Sequence, residues 1–479
     1  MTSAALRREG GDKRPSIAAS SGALLVANIG AGIVAFLFAI IVARSLGPSA
    51  RGVVAFSTTI TVAVSWFSLV GLEVAFSYYC GAREDLRPAI VSSAIVAGIS
   101  TGLVGAAVGW AILNAAPQLV PDGVTKSMLL LALFTTPLLS IQRLFNALLI
   151  GSGRIAAANY IVLTLPIVAL LTFLAIGASF GRSATAAVVA WAISRLVGAV
   201  GSILLGGRAI GFGGLSETRH ALSLSMRYGV RAYPGSIAQQ PIRRLDTFVL
   251  AAVAPASQLG YYAAAVNMSE IGMYLPNAVA SILLPRSAGM PERTAAATVH
   301  RASAVVLVLV ACGSLVGIVL ASPLVRWVLG DRFSGAIAPL QLMLVAMIGA
   351  AARRTFGAGL MARNRAGIVS LITLATMALI VGLDLALIPR FEAVGAALAS
   401  TIAYCAGGVA AYITYRRLLQ PETRASLPPL LHEFRAGVRD VKSTLRSRRA
   451  EVTSPRGPEI GLPEDLGGHQ PDRPDPTEL

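Results

Sequence analysis

Apolar stretches long enough to cross a lipid bilayer recur about twelve times along this chain, and that recurrence limits its fold more than any other feature. A span of ~30 Å at 1.5 Å per residue needs about 20 apolar residues. In order the stretches cover 17–43, 52–79, 89–115, 126–150, 156–179 and 184–207, then 228–254, 260–285, 302–322, 336–361, 367–389 and 393–416. Hydrocarbon offers no partner to an unpaired N–H or C=O, so spans of this length must be helical. An all-α polytopic membrane protein follows. Composition excludes the soluble alternatives: 55% of the 479 residues are hydrophobic and only 13% charged, where a soluble surface needs about a quarter charged.

The formal net charge of +17 reads as basic loops set against anionic lipid rather than as a nucleic-acid surface. No basic stretch interleaves with stacking aromatics, and nucleic acid is not expected as a partner. With the N-terminus inside, about 15 Lys and Arg fall in inner loops against about 7 outside, so both termini are expected in the cytoplasm. Arg7, Arg8, Lys13 and Arg14 precede an apolar run about twice as long as a signal-peptide core, which predicts a retained first helix. Beyond Gln420 the chain becomes rich in Pro and charge, the composition of a disordered tail. The expected organisation is a basic N-tail over 1–16, a first lobe over 17–207, a basic cytoplasmic loop over 208–227, a second lobe over 228–417 and a tail over 418–479.

No phosphate-binding P-loop is present, so the chain is not expected to hydrolyse ATP or to be an enzyme. The short loops also argue against membrane glycosyltransferases and glycan polymerases. Cys80, Cys312 and Cys405 form no metal spacing, His220, His300, His432 and His469 fall in expected loops or the tail, and no cofactor or metal is predicted. Proton traffic, if present, would fall to carboxylates.

The two sets of spans align residue by residue. Gln142-Arg143-Leu144-Phe145-Asn146-Ala147 of the fourth matches Arg353-Arg354-Thr355-Phe356-Gly357-Ala358 of the tenth, with Arg143 on Arg354, and the same offset pairs Arg154 with Arg365. A nearly equal offset sets Gly47-Pro48-Ser49-Ala50-Arg51-Gly52 against Ala254-Pro255-Ala256-Ser257-Gln258-Leu259-Gly260. Proline stops a helix and glycine lets the chain reverse. An even number of spans separates the copies, so the lobes share one orientation, with a pseudo-twofold axis along the membrane normal and a cavity at their interface.

With Ala43-Arg44-Ser45-Leu46-Gly47-Pro48 and Gly52 after the first span, and Arg244-Leu245-Asp246, Pro255 and Gly260-Tyr261-Tyr262-Ala263 around the seventh and eighth, the chain resembles the polysaccharide biosynthesis flippases. These belong to the multidrug/oligosaccharidyl-lipid/polysaccharide exporter (MOP) superfamily. The resemblance implies a two-lobed monomer of the bacterial cytoplasmic membrane that alternates between inward-open and outward-open forms. It further implies transport of a polyprenyl-pyrophosphate-linked oligosaccharide, with membrane lipids and other polysaccharide-assembly proteins as expected partners. A cation-coupled drug or metabolite exporter on the same fold, and a non-transporting scaffold of the cell envelope, are the alternatives. A major-facilitator transporter is disfavoured, because Cys80 to Pro88 lacks that family's basic signature.

Pyrophosphate calls for arginine, whose planar fork holds phosphate oxygens in pairs. Arg143 and Arg354 lie roughly 13 Å into the membrane at equivalent positions, with Arg353 beside one of them. They face a shared cavity, or else pair with helix carbonyls or an acid at the lobe base. Arg195, mid-way along the sixth span, is a further candidate for contact with substrate in the cavity, unless Trp191 one turn away only shields it as a cation–π partner. The seventh span carries Arg231, Gln239, Gln240, Arg243, Arg244 and Asp246 between and beyond Pro234 and Pro241. Arg243 and Arg244 are candidates for substrate contact, and Asp246 for a gate, with an Arg243–Asp246 salt bridge as the plain structural alternative. Glu73 and Glu270 are the remaining candidates for coupling, unless they only compensate arginines. Asp384, near Pro389, and Arg44 and Arg51, at the first turn, read as interfacial anchors.

Overall fold

A computed structural model describes residues 17–237, 245–426 and 428. All regular structure among them is helical. The first half comprises α1 (Ile17–Ser68), α2 (Leu72–Ala82), α3 (Arg87–Ala115), α4 (Lys126–Phe134), α5 (Thr136–Gly151), α6 (Ile155–Phe180) and α7 (Ala184–Ile210). The second comprises α8 (Leu215–Ile237), α9 (Leu245–Val253), α10 (Ala256–Ser269), α11 (Tyr274–Ala288), α12 (Glu292–Leu329), α13 (Ile337–Ala362) and α14 (Ala366–Arg417).

Local chemistry decides where spans break. Helix α1 contains two spans that meet at Gly47, whose φ of 81° and ψ of 178° only glycine holds without strain, with Pro48 next. Val42 and Val54, on either side of that kink, share one apolar cluster with Phe173, so the chain doubles back there. Helix α14 breaks in the same way at Glu392 (φ 49°, ψ −125°), just after Pro389. The fourth span is two helices, because Pro137 occupies the first turn of α5 and interrupts the ladder from α4. The connection expected over 208–227 is largely helical: α8 starts at Leu215 and packs on α2 and α3. His300, expected in a loop, lies buried in α12, which begins ten residues earlier than the hydropathy edge suggested because a polar first turn still forms helix.

Eight helical stretches among the described residues are long and apolar enough to span a membrane, the doubled α1 and α14 among them. Their outer faces carry exposed aliphatic groups such as Leu103, Val104, Leu171, Val319 and Leu371, which suit lipid rather than water.

The bundle has a turn end, which holds the turns at Gly47–Pro48 and Pro255, and a basic end, which holds Arg154 and Arg365. At the turn end the lobes share their cores. Phe56, Ile60, Leu129 and Leu133 of the first half pack in one cluster with Leu250, Leu259, Tyr262, Met343 and Met347 of the second. Ala43 joins Ala264, Val325 and Phe333 in another. Towards the basic end the cores separate, one around Phe76, Leu144 and Phe145 that also takes in Ala221 of α8, the other around Leu283, Phe356 and Tyr415, while the second half still touches the first through α8, where Tyr228 stacks on Tyr78. At the turn end the backbones of the two lobes cross closely and reciprocally: a Cβ on Gly52 would stand 2.9 Å from the carbonyl carbon of Ala256, and one on Gly260 would stand 2.8 Å from that of Pro48.

Candidate functional site

A cavity of about 320 Å³ lies between the lobes, beneath that crossing. One face of α1 lines it from Arg51 through Thr58, Thr59 and Val62 to Trp66, positions that recur at helical spacing. Trp191 of α7 completes the first-lobe wall, and Thr247, Tyr262 and Asn267 of α9 and α10 stand on the other side. Arg51 is buried here rather than anchored at an interface, because the shared core closes over the turn end. Arg44 is exposed and donates from Nη2 to the Trp327 carbonyl at 2.5 Å, a tie between lobes.

Two arginines stand behind the tryptophans. The Arg143 guanidinium lies 5.2 Å from the Trp66 ring centre and donates to both oxygens of Glu73, at 2.5 and 3.0 Å. The two residues assigned separately to substrate and coupling are therefore one ion pair within the first lobe. Arg195 lies 5.1 Å from the Trp191 ring centre, and its Nη1 donates to Gln142 Oε1 at 3.4 Å. Gln142 Nε2 in turn donates to the Arg195 carbonyl at 2.5 Å. Among the described residues Arg195 has no carboxylate partner, and its Nε is buried without an acceptor. The tryptophans, not these two arginines, form the cavity wall.

Across the interface, Arg354 is exposed and continues the α13 stripe of Met343, Met347 and Ala351 that packs on the first lobe. Arg353 turns into its own lobe, where Nη1 donates to Thr373 Oγ1 at 3.4 Å. Glu270 sits half-buried in a short 3-10 turn between α10 and α11. Gln239, Gln240, Pro241, Arg243 and Arg244 lie outside the described residues, as does the expected Arg243–Asp246 bridge.

Asp246 is buried at the cavity edge. It accepts from the Thr247 N–H at 2.6 Å and hydroxyl at 3.2 Å, and from the Tyr262 hydroxyl, which also lies 3.5 Å from Ser400 Oγ. Asp384, placed at an interface by its distance from Pro389, is instead fully buried, because the chain reverses at Glu392 and carries it well inside. It is near enough to Asp246 for the two carboxylates to act on each other, and neither of its own oxygens has a hydrogen-bond partner among the described residues. Its signal was present as a lone acid in an apolar run. Trp66 and Thr59 were legible only as the stripe they share with Arg51. Among the described residues no group of His, Cys, Asp and Glu has the arrangement of a metal centre.

A family model described as polysaccharide biosynthesis protein matches residues 41–338, more than half of the chain. No curated protein matches in sequence. Among solved structures, the fold is shared with lipid II flippase MurJ in an inward closed conformation, at a TM-score of 0.67 and 13% identity, covering 90% of this chain and 99% of that one. An inward-facing multidrug resistance MATE family transporter of the MOP superfamily gives a TM-score of 0.60 at 13% identity, over 84% and 100% of the two chains. A MOP superfamily transporter from Pyrococcus furiosus, described by the reverse polarity of its binding pocket, gives 0.51 at 13%, over 83% and 92%.

Proposed function

Because the chain belongs to the polysaccharide biosynthesis protein family, we propose that it is a flippase that carries a polyprenyl-pyrophosphate-linked oligosaccharide across the bacterial cytoplasmic membrane by alternating access. The observation that supports this most is the inter-lobe cavity, whose apolar lining is set with Arg51, Asn267 and several hydroxyls, closed at the turn end by a shared core and continued towards the basic end by lobes whose cores, α8 apart, are separate. With both termini cytoplasmic, the basic end faces inward, and this conformation receives substrate from the inner leaflet. The glycan head enters between the lobes while the polyprenyl tail stays in lipid, which removes most of the cost of moving a polar group through hydrocarbon.

Arg354, exposed on the inter-lobe face, is the first arginine the pyrophosphate meets, and Arg51 at the far end of the cavity is the second. Arg143 joins them only when Glu73 releases it, so this pair works as a gate. Arg243 and Arg244 remain proposed contacts for the pyrophosphate, and Glu270 a proposed coupling group. Asp384, buried and without a donor, takes up a proton or small cation, and Asp246 with Tyr262 links that event to the cavity wall. Coupling then rests on an ion gradient or the membrane potential.

The test is deletion of the gene in its native host, followed by measurement of lipid-linked glycan in each leaflet. Precursor is expected to accumulate in the inner leaflet, with loss of surface polysaccharide, and the wild-type gene is expected to reverse both. An unchanged distribution of lipid-linked glycan would sink the flippase reading.

A further inference from the structure

The arginine-backed tryptophans say what part of a substrate this cavity holds. We propose that Trp66 and Trp191 are stacking platforms for sugar rings, and that Arg143 and Arg195 behind them screen the cavity against organic cations. The glycan as occupant rests on the flippase reading; the platforms and the screen are properties of the cavity itself.

A pyranose presents a face of C–H groups and a rim of hydroxyls. It needs flat apolar surface with polarisable π electrons beneath that face, and donors and acceptors around the rim. Both requirements are met. Two indoles stand in one wall, Trp66 half-buried and Trp191 9% exposed in this conformation. Around them, Thr59 and Asn267 line the cavity with side chains for which no protein partner exists among the described residues, and Thr58, although its hydroxyl donates to the Val54 carbonyl at 2.9 Å, keeps its lone pairs. An amide and hydroxyls left unbonded at a cavity surface are groups a sugar hydroxyl can satisfy. The volume of about 320 Å³ is at the small end of the ~300–1,000 Å³ range of small-molecule sites, so it takes one end of a glycan rather than the whole.

An aromatic wall is equally what an organic cation seeks, and here the arginines decide the matter. Each indole already has a guanidinium over its ring, at 5.2 and 5.1 Å. Glu73 balances Arg143, and the cavity sets Arg51 in its wall against Asp246 at its edge, but Arg195 has no carboxylate partner among the described residues. In a site of low dielectric that field disfavours a further positive charge and leaves neutral rings unaffected.

The full chain in lipid nanodiscs tests this by titration calorimetry with methyl glycosides of common hexoses and N-acetylhexosamines, with inorganic pyrophosphate, and with tetraphenylphosphonium. At least one glycoside is expected to bind saturably. Trp66→Leu and Trp191→Leu are each expected to weaken it about tenfold, the loss of one stacking contact, while Trp66→Phe and Trp191→Phe stay within about threefold. Arg195→Gln leaves both rings in place, so it is expected to keep glycoside affinity and to raise tetraphenylphosphonium affinity about tenfold or more. Absence of glycoside binding to the wild type, glycoside binding that the Leu variants do not weaken, or an Arg195→Gln protein that takes tetraphenylphosphonium no better than wild type would each overturn the proposal. Should the Leu variants fail to fold, the Arg195→Gln arm still decides. Glycan accumulation on deletion without glycoside binding would retire the platforms alone, whereas glycoside binding without accumulation would retire the flippase reading alone.

Discussion

The reciprocal crossing of Gly52 and Gly260 makes a quantitative prediction about which end of the molecule opens. In Gly52→Ala the new methyl group stands 2.9 Å from the carbonyl carbon of Ala256, and in Gly260→Ala it stands 2.8 Å from that of Pro48. These neighbours are backbone on closely spaced helices, so they cannot rotate away as a side chain would. Overpacking of this kind costs about 1–3 kcal/mol, and the cost falls only on conformations in which the crossing is made. A difference of that size shifts the ratio of closed to open turn end by about 5–150-fold. Because both glycines belong to one contact, Gly52→Ala with Gly260→Ala should shift it by less than the sum of the two. The assay is electron–electron distance measurement between spin labels at Asp122 and Arg332, both exposed at the turn end on opposite lobes, after replacement of the three native cysteines. The variants should gain a long-distance population. Gly313→Ala, where an added methyl meets nothing within 4 Å, should leave the distribution unchanged. A wild-type distribution in both seam variants would refute the claim that this crossing sets the closure of the turn end.

Two further outcomes follow from contacts at either end. Arg44→Ala removes the tie to the Trp327 carbonyl, an exposed bond worth about 1 kcal/mol or less, so the same label pair should show a smaller opening than in Gly52→Ala; an equal one would mean that the glycine crossing is not the dominant contact. Glu73→Gln deprives a half-buried Arg143 of its bidentate partner and should cost about 1–3 kcal/mol of stability in thermal unfolding. Adding Arg143→Gln should recover most of it, and a double variant no more stable than Glu73→Gln would show that the pair is not energetically coupled.

The lobes and their repeat were legible because lipid forces a long apolar segment to be a helix, and because turn glycines and prolines leave a trace in sequence. What could not be read was rotation about each helix axis and the depth set by a kink. Arg143 and Arg195 were visible as deep charges, but whether such a residue lines a cavity or stands behind a neighbouring tryptophan depends on one side-chain rotation. Pairing was hidden for the same reason: Glu73 and Arg143 lie 70 residues apart on different helices, and no local spacing connects them. Asp384 was misplaced by counting from Pro389 as though that proline marked the surface. The reversal comes at Glu392 instead, so a distance along the chain was mistaken for a depth.

The repeat also explains why ion coupling should reside in one lobe. The offset that pairs Arg143 with Arg354 also pairs Phe173 with Asp384, and the offset that pairs Pro48 with Pro255, which holds before the extra residue of the second copy, pairs Ala39 with Asp246. In the first lobe Phe173 meets Phe38, the neighbour of Ala39, edge to face, with ring centres 6.0 Å apart. In the second, the positions equivalent to Phe173 and Ala39 hold the two carboxylates. The scaffold therefore accepts an apolar pair at this place, and the acids are not needed to fill it. Asp384 is the cleaner test, since its oxygens bond to nothing among the described residues, whereas loss of Asp246 would strand the Tyr262 hydroxyl and the Thr247 donors. Exchanging a buried charge-bearing group for an apolar one of similar size is neutral or stabilising by about 1–4 kcal/mol. Asp384→Leu should thus fold with a thermal midpoint at or above that of the wild type, and it should lose any dependence of that midpoint on sodium concentration or pH. Asp246→Leu should be destabilised. If Asp384→Leu unfolds earlier than wild type, or keeps the ion dependence intact, the buried acid serves the packing of the second lobe and the coupling step must be sought elsewhere.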